Sequence, residues 1–283
     1  MMAAWLLLLA VPAGALPLVM AGEGFGGARL ITALRGLLVL MPVACVAAVP
    51  LAAWGMVAQP WFVLRGAAYL AVWTVLALLF ARPPVRPRPV MRAMGLAVHL
   101  VVVTLAAADW MFACAPGPGA SDIGLLVMAG QCATALAVVM LREKRPMRGA
   151  LAWLMAAQLA WGALQFTQYL VVWSADIPGE IAWYQQRGSG AGVAAVWLGV
   201  AGVVGPVVVA ASGWRAVPRV CAALVLLCQA VGMFWLITPS SVGRFGLSWD
   251  DGLAVVVVLA VIAGVVSAAP AAGVWLRQRH MRA

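Results

Sequence analysis

Gln158, Trp161, Gln165 and Gln168 recur at steps of three and four along one apolar stretch. That spacing puts all four on one face of a helix. An amide inside lipid is costly unless it packs against protein or faces a hydrated cavity, so the stripe offers two chemistries. It can tie neighbouring helices together, each such bond contributing about 0.6–2 kcal/mol. Alternatively it can line a wet path, passing protons or meeting a quinone head group. Gln131 and Gln229, on other apolar stretches, extend either reading. Directly after the stripe comes the longest acidic and aromatic interruption of the chain, holding Asp176, Pro178, Glu180, Trp183 and Tyr184. Its aromatic rings suit the belt at a membrane–water boundary, and its acids could receive a basic partner.

His99 and Asp109 share one predicted helix, separated by about 15 Å of axial rise. With Thr104 between them they form two stations of a candidate polar path, since ionisable groups within a membrane mark functional sites by default. The plainer roles are a bond from His99 to a neighbouring carbonyl and a capping or belt position for Asp109, which precedes Trp110. Redox cofactors would decide the class, and the sequence argues against them. The chain has 2 histidines, His99 and His280, too few for paired bis-histidine haem. It has no C-x-x-C-H, and its 5 cysteines form no C-x-x-C pair, so covalent haem and conventional iron–sulfur ligation are excluded. No metal or covalently bound cofactor is expected; a quinone contact and structural lipids are compatible.

The elements that position these residues follow from composition. Hydrophobic residues make up 66% of the chain and charged ones only 9%, against roughly 25% charged in soluble domains. The chain is therefore a membrane protein. The net charge of +10 does not point to nucleic acid, because the basic residues cluster in short groups at the ends of apolar runs. Apolar windows predict an all-α, polytopic transmembrane helical bundle of nine spans, near 3–21, 36–56, 62–81, 93–113, 123–141, 149–173, 191–213, 220–238 and 252–275. The first run lacks the basic leader of a secretory signal and reads as a retained helix.

Alternating the loops puts all but Arg65, Arg187 and Arg244 of the 18 basic residues on one side. The positive-inside rule then predicts an external N-terminus and a cytoplasmic C-terminus. Most acids, Asp122, Asp176, Glu180, Asp250 and Asp251 among them, fall on the other side. The stretch ARPPVRPRPVMR reads as a non-helical cytoplasmic linker. It divides three N-terminal spans (1–81) from a six-helix bundle (93–283), with the linker itself at 82–92.

Two segments carry a resemblance. FTQYLVVWSADIPGEIAWY, ending at Tyr184, and ADWMFACAPGPGASDIGLLVMAGQ, ending at Gln131, resemble the ordered motifs of the second quinone-binding-type membrane subunit of alternative complex III. That ActF-like, NrfD-related family belongs to a bacterial quinol:cytochrome c oxidoreductase. The chain looks like a short, divergent member: the family's His-Trp pair is replaced by the region of Gly117 and Pro118, and its second acidic pair is thinned to Gly179-Glu180.

The resemblance implies a cofactor-free, multi-pass subunit of the bacterial inner membrane. It would neighbour other membrane subunits of a respiratory complex and a periplasmic c-type cytochrome or oxidase subunit. It directs attention to Asp109, Gln131, Gln165, Gln168, Asp176 and Glu180. The expected roles are a proton path or quinone contact through His99, Asp109, Gln131, Gln158, Gln165 and Gln168, and a partner dock at Asp176, Glu180, Trp183 and Tyr184. The alternatives are a stand-alone membrane transporter and an assembly or structural factor, in which the glutamines act as glue.

Overall fold

The computed structural model describes residues 2–22, 27–53, 60–81, 88–114, 122–143, 147, 149–188, 190–211, 217–237 and 249–280. Among these, every regular element is a helix. In chain order they are α1 (Met2–Ala21), α2 (Gly27–Leu37), α3 (Leu40–Ala53), α4 (Pro60–Ala81), α5 (Pro89–Cys114) and α6 (Ile123–Arg142). There follow α7 (Ala150–Ala175), α8 (Pro178–Gln185), α9 (Gly190–Ala211), α10 (Val217–Ile237) and α11 (Trp249–His280). Helix is the outcome expected of long apolar runs in lipid, where each backbone N–H and C=O must be satisfied within its own segment.

By length and composition, 7 spans can cross a membrane: Met2–Ala21, Gly27–Val49, Trp61–Ala81, Pro89–Met111, Ile123–Arg142, Gly190–Ala211 and Val217–Ile237. α7, with its three glutamines, is not among them, though it packs against α6, α9 and α10.

α1 lies at the centre. Leu7, Leu9, Ala10, Val11, Ala13 and Leu16 are wholly buried, and the helix packs against α2, α3, α4, α5, α6, α10 and α11. Its closest approach is to α6, where a methyl group on Gly14 would overlap the Gln131 carbonyl. Gly14 thus lets two backbones meet, as small residues do at membrane helix interfaces.

Polar contacts fix the relative directions of the helices. Arg92 Nε and NH2 each donate, at 2.9 Å, to the carbonyls of Met20 and Ala21, so α5 starts where α1 ends. The two bonds satisfy carbonyls left over at the α1 C-terminus and place a cation at the negative end of that helix. Arg29 lies 3.9 Å from Glu143, joining the start of α2 to the end of α6. Arg65 meets Asp109, joining the start of α4 to the later turns of α5. The bundle therefore has a basic end, with Arg29, Arg92 and Arg142, and an acidic end, with Asp109, Asp122, Asp176 and Glu180.

Two sequence expectations are corrected. The linker was placed at 82–92 and read as non-helical through Arg92, yet α5 begins at Pro89. Proline is at home in the first turn of a helix, where its missing N–H has no intrahelical partner anyway; residues 82–87 lie outside the described set. The second span was expected near 36–56, but it runs Gly27–Val49 and takes in α2, which starts nine residues ahead of that window. With Arg29 and Arg35 on it, α2 is too polar to register as an apolar run, but it buries Leu30, Ile31, Leu34 and Leu37 along one face.

Candidate functional site

On α4, Arg65, Tyr69 and Trp73 stand four residues apart and face α5. Arg65 Nε and the Tyr69 hydroxyl both donate to Asp109 Oδ2 at 2.7 Å. Deeper in the bundle, Trp73 Nε1 donates to His99 Nδ1 at 3.1 Å, which leaves the proton of a neutral His99 on Nε2. His99 is completely buried, and its Nε2 has no hydrogen-bond partner among the described residues. Between the two pairs lies the Trp110 ring, with centroids 6.0 Å from both Tyr69 and Trp73. His99 and Asp109 therefore belong to one packed aromatic column, but hydrogen bonds do not join them among the described residues. Nor does Thr104 bridge them: its hydroxyl donates to the Leu100 carbonyl, and its side chain packs on Gly124 of α6.

The glutamine stripe divides into parts. Gln229 Nε2 donates to Gln158 Oε1 at 2.9 Å, and Gln158 Nε2 contacts Cys228 Sγ at 3.4 Å. Gln158, Gln229 and Cys228 are all buried. These amides face each other and join α7 to α10. Trp161 packs beside Gly130 of α6, fixing the third helix of this junction. Gln168 Nε2 donates to Asp122 Oδ1 at 2.9 Å, which ties α7 to the residue preceding α6. Gln165 is half-buried and has no hydrogen-bond partner among the described residues. Gln131 is buried on α6 with Oε1 unpartnered among them.

At the acidic end, α7 stops at Asp176, which adopts a left-handed conformation (φ 51°) that aspartate tolerates better than most residues. Pro178 then occupies the first turn of α8 with Glu180 close behind, a placement favoured by the positive end of a helix. α8 is held down by Arg187, which is 1% exposed. Its Nε, NH2 and NH1 donate to the carbonyls of Trp235 (3.0 Å), Leu236 (2.7 Å) and Trp183 (2.8 Å). Its guanidinium also lies 3.5 Å from the Trp183 ring centroid, a cation–π contact made stronger by burial.

Arg187 thus caps α10 from outside, as Arg92 caps α1. Trp183, expected in the dock, is turned inward beneath this arginine. Tyr184 is half-buried and stacks edge-on against Tyr169 of α7. Burial pushes its hydroxyl up to about 12, against the pull of the nearby Arg187 charge. Asp176 remains exposed beside Trp173, which is 70% exposed.

No protein-family model and no curated protein sequence matches the chain. What the structure adds is that the two sequence segments singled out above touch each other, through Gln168 with Asp122. Arg187 and Tyr69 were missed as organising residues. In the sequence Arg187 stands out only as one of the few basic residues on the acidic side. Its spacing of four from Trp183, within a run of aromatic residues, was the available signal.

Proposed function

We propose that the chain is a cofactor-free membrane subunit of a respiratory electron-transfer complex of the alternative complex III type. It would serve as a scaffold that presents its acidic end to a periplasmic c-type cytochrome or oxidase subunit. In this reading the chain crosses the bacterial inner membrane nine times, α7 and α11 included, with the N-terminus outside and the C-terminus in the cytoplasm. The observation that carries it is the platform of α7 and α8: Asp176 closes α7 next to the exposed Trp173, and Glu180 stands in the first turn of α8, a short helix whose end Arg187 pins to the end of α10. A rigid acidic patch with exposed aromatic surface suits association with a basic protein, where charge complementarity speeds encounter and selects the partner.

The motif resemblance supports the same reading, because both segments meet in one junction. A proton path through the glutamines is less favoured by the mutual pairing of Gln158 and Gln229, which equally suits a structural or assembly factor. Purification of the tagged chain in mild detergent tests the proposal. Haem-containing subunits should co-purify, and Asp176→Lys with Glu180→Lys should deplete them while the chain stays folded. Migration as a free monomer without a haem protein would overturn it. Accessibility of single cysteines introduced near Arg29 and near Asp176 tests the orientation.

A further inference from the structure

A crevice of about 630 Å³ lies between α1, α3, α4 and α5, inside the ~300–1,000 Å³ range of ligand sites. Its α4 wall runs from Phe62 to Val75, about 20 Å along the helix axis at roughly 1.5 Å per residue. The hydrocarbon of one leaflet is about 15 Å deep, half of a roughly 30 Å core. The crevice therefore starts near the acidic end, runs parallel to lipid tails and passes the midplane.

Small residues on α4, Gly66, Ala67 and Ala71, leave its width, and the remaining walls are almost entirely aliphatic or aromatic. Its deep polar pair is already satisfied: the Thr74 hydroxyl donates to the Leu70 carbonyl and touches Cys45 Sγ at 3.4 Å. Nearer the acidic end the opposite holds. Trp110 is 5% exposed, lines the crevice, and has its Nε1 3.6 Å from the point where a Cβ on Gly66 would stand. That N–H has no acceptor among the described residues and is open to the crevice, where a ligand could supply the partner that an indole N–H normally finds.

We infer that the crevice holds one acyl chain of a diacyl glycerophospholipid from the leaflet at the acidic end, with a glycerol ester carbonyl accepting from Trp110 Nε1–H. Three features single out this occupant. The crevice is about as long as a lipid tail, it is apolar at depth, and the one unmet donor found among its described residues stands level with Gly66, about one helical turn below the crevice's first α4 residue, Phe62, where an ester would lie. A molecule inserting head-first would find no free donor at the deep end. The inference is independent of the respiratory reading.

The test uses the full chain, washed extensively in detergent and analysed by native mass spectrometry with lipid extraction. The wild-type chain should retain one phospholipid, and Ala71→Trp, which fills the crevice, should lose it. Trp110→Phe keeps the ring but removes the donor, and should weaken retention of added phosphatidylglycerol or phosphatidylethanolamine about three- to tenfold, the effect of one hydrogen bond. Where Ala71→Trp fails to fold, Ala67→Leu serves instead and should lower occupancy. Retention of an isoprenoid molecule in place of a phospholipid, loss of all lipid from the wild type, or full occupancy in a folded crevice-filling variant would each overturn the assignment.

Discussion

Replacing Arg187 by methionine keeps much of the side-chain volume but removes three donors and a charge. The bonds to Trp235, Leu236 and Trp183 measure 3.0, 2.7 and 2.8 Å, so three buried carbonyls, two of them at the C-terminus of α10, lose these bonds. Hydrogen bonds to a charged group contribute about 1.5–3 kcal/mol each, and a desolvated cation–π contact about 2 kcal/mol. These terms are not additive, and the arginine had to be desolvated, which subtracts from them. Buried carbonyls left without partners cost about 1–3 kcal/mol each, and less once they relax, so a net loss of about 3–4 kcal/mol is expected.

The loss should fall on the α8 platform and the end of α10, and it is best read locally by hydrogen exchange. The amides of Ile181, Gln186 and Arg187 are held by bonds to the carbonyls of Ile177, Ala182 and Tyr184. At a factor of ten per 1.4 kcal/mol, their exchange should quicken about 10²- to 10³-fold when opening is local, while amides of α1 and α6 stay protected. Arg187→Lys, a point charge without the planar fork, should recover only part of the protection. Unchanged exchange across α8 in a folded Arg187→Met protein would refute the clamp.

The amide pair makes a sharper statement about glue. Gln158→Leu alone strands Gln229 and should cost about 1–3 kcal/mol in detergent unfolding, whereas Gln158→Leu with Gln229→Leu should return to within about 1 kcal/mol of wild type; a stability-neutral single change would point back to a hydrated path. The Arg65–Asp109 pair lies partly exposed near the acidic end of the bundle, and if water reaches it there a double-mutant cycle should give a coupling below about 1 kcal/mol, measured as unfolding free energies; a larger coupling would place the pair in lipid. Tyr184 should ionise near pH 12, seen as a phenolate absorbance step lost in Tyr184→Phe. Because this folded-state value lies above that of a free tyrosine, the stability it supports is present below about pH 10 and lost as the pH climbs toward 12.

The helices were legible because lipid leaves the backbone little choice and because apolar runs mark where it applies. α2 was not, since its apolar face is narrow and two arginines interrupt it. The residue types of the candidate site were also legible: buried glutamines, an intramembrane histidine and an aspartate beside a tryptophan. Their partners were not. Whether Gln158 meets Gln229 or Gln131 depends on how the helices are ordered around the bundle, and no local pattern encodes that order. For the same reason His99 and Asp109, neighbours on one helix, turned out to bond to Trp73, Tyr69 and Arg65 of another. Arg187 shows the limit most clearly, because a charge-counting rule sees only its side of the membrane and not the helix end that it closes.

The central position of α1 has a consequence for biogenesis. α1 is a deeply enclosed helix, and two of its partners, α6 (its largest contact) and α10, are made long after it. While α2 to α5 can cover part of α1 as they are made, the face that meets α6 and α10 must stay in lipid or in the insertion machinery until those helices insert. Assembly is thus dominated by contacts remote in sequence, the regime in which folding is slow. A pause or truncation before α10 would leave one side of α1 without its native cover.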